Sequence, residues 1–250
     1  MFFLIIKFIL TFIFCLILWV FLDSIYQYKH LYHYRVDYSN VKREKLLYKI
    51  IFRLPVLIAQ RIEDNRSDEF KEHGLIIFTG KQGSGKTMAM TYEINKLCLK
   101  YPDLKIYTNY GLLCQDGKLN DYHPLITYDN GFQGLVFALD EIQATFSSRK
   151  WQDFPPDMIA CISQNRKAHR VIYGTSQSIA NVDVQIRRQC RLFCKCWTFF
   201  GFLTCVAKFE PDFDFDGNLD KTKFRGFYCF LQEPVLRYQY DTFELIKSLR

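Results

Sequence analysis

The sequence predicts an α/β fold with a mostly parallel sheet, preceded by one membrane helix. Three observations predict it. Residues 1–22 are predominantly apolar and carry one charge, Lys7. A glycine-rich turn, "GKQGSGKT" (80–87), joins an apolar run to a helix-forming stretch. Apolar runs of strand length then alternate with helical stretches as far as residue 177.

The first element is "MFFLIIKFILTFIFCLILWVFL" (1–22). As a helix it spans about 33 Å, enough for a hydrocarbon core of roughly 30 Å. Trp19 suits the interface at its far end. A cleaved signal peptide is the rival reading. The stretch is long for one, and the bulky "DSIYQYKHLYHY" that follows offers no small-x-small cleavage site. From Asp23 to Arg53 there are seven Lys or Arg against three acids. The positive-inside rule puts that side in the cytoplasm.

Residues 23–73 read as a basic juxtamembrane tether. Tyr26, Tyr28, Tyr32, Tyr34 and Tyr38 stand among basic residues, and "KLLYKIIFRLPVLIAQ" (45–60) mixes apolar side chains with Lys49 and Arg53. Three readings stay open: an interfacial helix on anionic lipid, a helix packed on the following domain, or a contact with single-stranded nucleic acid.

Leu75–Phe78 form a buried strand that enters Gly80. Four residues follow, then Gly85, Lys86 and Thr87, completing G-x-x-x-x-G-K-[ST]. Backbone N–H groups of Gly80, Lys81, Gln82, Gly83, Ser84 and Gly85 would curl around phosphate oxygens. Lys86 would reach the β- and γ-phosphates of ATP, and the Thr87 hydroxyl would take a Mg²⁺ position. The helix that starts there offers its positive end to the anion.

"LKIYTNYGLL" (104–113) is the second strand. In "GLVFALDEIQATF" (134–146) five apolar residues lead to Asp140 and Glu141. Ligands of such folds sit beyond the carboxyl ends of the strands. Asp140 would therefore hold Mg²⁺ and Glu141 would deprotonate the attacking water, which points to hydrolysis. "VIYGTSQ" (171–177) is the fourth strand. Gln177 at its end would face the γ-phosphate, or else bond to backbone.

The phosphate loop, "IYTNYG", "FALDEIQATFSSR", "ISQNRKAHRVIYGTSQS" and "VDVQIRRQC" occur in this order. Together they resemble the Zot-like (zonula occludens toxin-like) P-loop ATPases, the family of the filamentous-phage assembly protein. The resemblance covers residues 75–197, with "YDTFELI" (240–246) as weaker support. It implies a RecA-like P-loop NTPase core. It also implies a homo-oligomer in the host inner membrane that works with phage coat or assembly proteins and exports phage DNA. The membrane helix precedes the ATPase domain here, whereas it follows in the typical member. A DNA translocase of the FtsK/HerA type shares the loop, the Asp-Glu pair and the strand-end Gln, and is the alternative.

Multimeric motors complete a subunit's site with a neighbour's arginine. Arg166, Arg170, Arg187 and Arg188 are the candidates, with Arg187 and Arg188 ranked first. They could also meet DNA phosphates, and the net charge of +7 is compatible with an acidic partner. "RQCRLFCKCWTFFGFLTCVAKF" (188–209) alternates like a hairpin. Metal ligation by Cys190, Cys194, Cys196 and Cys205, or a second span, are its other readings. Most of the nine cysteines are expected as buried thiols. "EPDFDFDGNLDK" is expected to be a solvated turn. The organisation is thus a transmembrane helix (1–22), the tether (23–73), the NTPase domain (74–210) and a C-terminal extension (211–250).

Overall fold

A computed structural model describes residues 2–30, 45–64, 69–120, 123–145, 156–214 and 219–240. The tether's Arg35, Lys42 and Arg43, its tyrosines 32, 34 and 38, and residues 241–246 lie outside the described residues. The chain divides into two compact units, Met1–Asp68 and Glu69–Arg250.

The first unit is helical. Helix α1 (Phe2–His30) does not stop at residue 22. No Gly or Pro interrupts residues 23–30, and the polar side chains there bond within the helix. Ser24 Oγ donates to the Val20 carbonyl at 2.6 Å, and Gln27 Nε2 to Asp23 Oδ1 at 3.5 Å. Over Ile6–Lys29 the helix is long and apolar enough to cross a membrane by length and composition. Helix α2 (Leu46–Tyr48) passes through a π turn (Lys49–Arg53) into α3 (Leu54–Asp64). Pro55 accounts for the wide turn, since it has no N–H for the Ile51 carbonyl and its ring crowds that turn. Helix α3 packs along α1.

The second unit is one eight-stranded sheet between helices. In chain order it runs β1 (Gly74–Thr79), α4 (Lys86–Lys100), β2 (Lys105–Thr108), β3 (Gly117–Lys118), α5 (His123–Thr127), β4 (Leu135–Leu139), α6 (Ile142–Thr145), α7 (Pro156–Ser163), β5 (Arg170–Ser176), α8 (Val184–Arg188), β6 (Cys190–Phe199), β7 (Leu203–Phe213), β8 (Leu219–Leu231) and α9 (Pro234–Arg237). The strand order is β3-β2-β4-β5-β1-β6-β7-β8. β3 to β6 of that order are parallel neighbours, and β6-β7-β8 are antiparallel.

Strands buried on both faces read as continuous apolar runs, which is why β1 and β4 were legible. One face packs Ile76, Phe78, Val136 and Cys194 beneath Met90, Ile94 and Leu97 of α4. The other packs Leu75, Ile77, Phe137 and Ile172 against Leu125, Ile142, Ile162 and Ile186. Burying some three dozen apolar side chains on two faces is what holds the carboxyl edge of the sheet in place.

Three sequence expectations change. The hairpin at 190–213 forms, but its first arm, β6, is also a parallel partner of β1. The stretch expected as a C-terminal extension contributes β8, paired to β7 along its length. Lys221, Lys223 and Arg225 give β8 the charge that suits an edge strand. Of the expected buried thiols, Cys190, Cys194 and Cys196 are buried and free. Burial pushes the Cys194 thiol up to about 12. Cys205 and Cys229 are instead joined as a disulfide between β7 and β8, with Cα atoms 4.1 Å apart.

Candidate nucleotide site

The loop between β1 and α4 begins at Gly80 and ends at Gly85, the residue before α4. Gly85 has φ +81°, and a Cβ there would lie 2.7 Å from Thr198 Oγ1 and 2.9 Å from Thr204 Oγ1. Only glycine fits that conformation and that gap. The Thr198 hydroxyl in turn donates to the Ser84 carbonyl at 3.1 Å. Strands β6 and β7 therefore brace the loop from one side. Lys86 is buried, and its ammonium donates to the Lys81 carbonyl at 3.2 Å across the loop.

Thr87, the second residue of α4, donates its hydroxyl proton to Asp140 Oδ1 at 3.0 Å. The same carboxylate oxygen accepts from the Thr175 hydroxyl on β5. Asp140 follows directly on β4, two strands from β1. It is held by its backbone as well. Asn109, just beyond β2, accepts from the Asp140 N–H at 2.8 Å and donates to its carbonyl at 3.0 Å. Thus α4 and β5 meet at the Asp140 carboxylate, and the residue after β2 holds its backbone.

Glu141 adopts φ +50°, which is uncommon for a side chain of this kind and marks a locally constrained backbone. Its N–H donates to Thr175 Oγ1 at 2.9 Å, and its carboxylate accepts from Gln143. Gly174 on β5 makes room for the turn, since a Cβ there would collide with Ile142. Gln177 is exposed one residue past β5. With Gly80–Ser84 it lines a cavity of about 650 Å³.

Mg²⁺ fits these groups. The Thr87 hydroxyl and the Asp140 carboxylate are hard oxygen donors that converge within 3.0 Å. Among the described residues no cluster of three or more His, Cys, Asp or Glu could hold a metal. Mg²⁺ takes one or two protein carboxylates together with substrate phosphates.

The arginines fall differently from expectation. Arg187 and Arg188 precede β6, whose Cys190 pairs with Leu75 at the start of β1. They stand at the amino edge of the sheet, a full strand length from their own loop. Arg187 is buried and cannot be presented to a neighbour without unpacking; Arg188 is exposed. Arg170 is buried too, donating to the Leu125 and Cys161 carbonyls at 2.7 and 2.6 Å and to Asn165 Oδ1 at 2.7 Å. It ties β5 to α5 and α7. Arg166 is exposed.

Sequence reading assigned no role to Asn109 or Thr175. Both sit in stretches it singled out, "IYTNYG" and "YGTSQ". A strand-end Asn and a strand-end Thr, each placed like Asp140 just at or past an apolar run, were the available signal.

No family model matches the chain, and no curated protein sequence matches it. Solved structures do. The N-terminal domain of zonular occludens toxin from Neisseria meningitidis matches with a TM-score of 0.46 at 16% identity, over 67% of this chain and 98% of that one. The genome packaging NTPase B204 from Sulfolobus turreted icosahedral virus 2, in complex with AMPPCP, matches at 0.39 and 11% identity over 62% and 98%. The ATPase DotB of Legionella pneumophila matches at 0.31 and 12% identity over 63% and 50%.

Proposed function

We propose that the chain is a membrane-anchored, Mg²⁺-dependent ATPase that powers export of phage DNA during filamentous-phage-type virion assembly. One observation carries the ATPase reading: Thr87 of the loop helix and Asp140 of β4 meet at 3.0 Å, with Glu141 next in the chain. A carboxylate that accepts from two hydroxyls, on a backbone held by Asn109, serves a bound metal better than it serves a surface.

In this reading the backbone N–H groups of Gly80–Gly85 cradle the phosphates, and Lys86 exchanges the Lys81 carbonyl for β- and γ-phosphate oxygens. Thr87 and Asp140 hold Mg²⁺, which neutralises charge on the phosphate oxygens when bound. Glu141 orients the attacking water and takes its proton, and the constrained backbone at Glu141 fixes where that carboxylate starts from. Gln177 faces the γ-phosphate. Arg188, exposed and remote from its own site, serves a neighbour in a homo-oligomer, where a delivered positive charge is worth roughly 10³ to 10⁵ in rate.

The export reading draws on the apolar helix, the basic residues that follow it and the order of motifs shared with Zot-like ATPases. Residues 1–22 cross the host inner membrane once. The helical stretch Leu46–Asp64 lies against anionic lipid, and the unit from Glu69 onward works in the cytoplasm on single-stranded DNA with phage coat or assembly proteins.

The test uses the full chain in lipid vesicles. ATP hydrolysis should need Mg²⁺ and should rise on adding phage assembly partners. A rise with DNA alone, independent of membrane partners, would instead favour the FtsK/HerA-type translocase. A reporter fused after Arg250 should lie in the cytoplasm; a periplasmic reporter would reverse the topology.

A further inference from the structure

We infer that Trp197 is the platform on which the base of a purine nucleoside triphosphate stacks. The inference rests on reading the loop as a nucleotide site, and it names the part of that site no motif predicts.

The cavity beside the loop has two kinds of wall. Gly80–Ser84 supply backbone N–H groups suited to phosphate, and Trp197, Phe193 and Ile179 supply apolar surface. Lys86, Thr87 and Asp140 are not among the residues that line it, whereas Gln177, set at the γ-phosphate in the proposed reading, is. A triphosphate on the loop must lead its sugar and base somewhere, and this cavity is continuous with the loop. At about 650 Å³ it is in the usual range for a small-molecule pocket.

The geometry of β6 puts the indole there. Lys195 pairs with Thr79, the last residue of β1. Trp197 is therefore two residues beyond the end of β1, at the same carboxyl edge as the loop. Side chains alternate along a strand, so Trp197 shares a face with Phe193 and Lys195, opposite Cys194 and Cys196. Phe227 on β8 backs the ring, with centroids 5.9 Å apart at 31°. The indole is half-buried: held by Phe227, yet with surface left over for a ligand. Aromatic stacking tolerates any base, and the two rings of a purine overlap an indole more fully than one pyrimidine ring does.

Calorimetric titration of the full chain in detergent, with Mg²⁺, tests this. The probes are a non-hydrolysable ATP analogue, its UTP counterpart and inorganic tripolyphosphate. Trp197→Ala should weaken the ATP analogue roughly 5- to 150-fold, the effect of losing one base–aromatic stack. It should weaken the UTP analogue less and leave tripolyphosphate unchanged, while Trp197→Phe should stay within a few-fold of wild type. Equal affinity of Trp197→Ala and wild type for the ATP analogue, with Lys86→Ala abolishing binding, overturns the inference and leaves the nucleotide site standing. Parallel loss of tripolyphosphate also overturns it, because the ring would then be supporting the loop. If Lys86→Ala leaves all three affinities unchanged, the nucleotide reading itself fails and takes the inference with it.

Discussion

The sheet of the second unit has two halves of opposite character. On one side of β1, strands β5, β4 and β2 end in Thr175, Asp140 and Asn109, polar groups bonded to one another. On the other, β6, β7 and β8 carry aromatics, a disulfide and the ion pair of Lys208 with Glu93 at 2.9 Å. The first half has the donors and acceptors for chemistry, and its alignment depends on hydrogen bonds between strands that are distant in sequence. The second puts Lys195 and Trp197 on the cavity beside the loop and braces the loop through Thr198 and the closed space around Gly85. A change in the first half should therefore act on turnover and metal use. A change in the second should act on loop shape and stability or, at Trp197, on how the base is held.

The largest effect should come where the halves meet, at the loop itself. Lys86→Ala should reduce ATP binding below detection by equilibrium dialysis, since the buried ammonium, which donates across the loop to the Lys81 carbonyl, is removed. Retained affinity would remove Lys86 from the site. Gly85→Ala should weaken binding at least ~10-fold. The left-handed backbone alone costs an L-residue about 1–2 kcal/mol, and the added Cβ meets two threonine hydroxyls braced by β7. Thr198→Ala should relieve part of that defect if the brace is real.

Within the polar half, Asn109→Ala should lower turnover about 10- to 100-fold and raise the Mg²⁺ needed for half-maximal rate, as loss of an outer-shell partner does. ATP affinity without metal should not change. A loss of affinity with an unchanged Mg²⁺ requirement would mean that Asn109 merely supports the fold.

How much of this was legible follows from how local each signal is. The loop is eight consecutive residues whose spacing is itself the chemistry, and Asp140–Glu141 end an unbroken apolar strand. Asn109 and Thr175 acquire roles only because the sheet order sets β2 and β5 on either side of β4, and no local pattern encodes strand order. Arg187 and Arg188 look equivalent in "QIRRQC", yet one helical step buries the first and exposes the second. Strand β8 was missed because the acidic "EPDFDFDGNLDK", in which it begins, reads as a solvated turn and no element was assigned after it. Helix α1 overran residue 22 because polar residues end a membrane span without ending a helix.

The smallest effect belongs to the bracing half. Burial pushes the Glu93 carboxyl up, but Lys208, with Tyr228 and Lys96, outweighs it and holds the group below the ordinary glutamate range. A lowered folded pKa means that the stability it contributes is fully present above the ordinary value of about 4.3 and is lost as pH falls through the lower folded value. Glu93→Gln should cost about 2 kcal/mol at neutral pH and flatten the acid limb of a pH–stability curve, while ATP turnover at pH 7 stays within a few-fold. Unchanged acid sensitivity in Glu93→Gln would assign that limb to other carboxylates.

Glu141→Gln gives the most direct test of the central claim, that this edge of the sheet hydrolyses ATP with Glu141 as base. The substitution keeps the side chain's size and leaves the loop unaltered, but replaces the proton acceptor with an amide. Single-turnover measurement with the full chain should find ATP bound as tightly as in wild type and cleaved about 10²- to 10⁴-fold more slowly. Wild-type cleavage by Glu141→Gln, with ATP bound in a Lys86-dependent way, would contradict the account and move the base elsewhere.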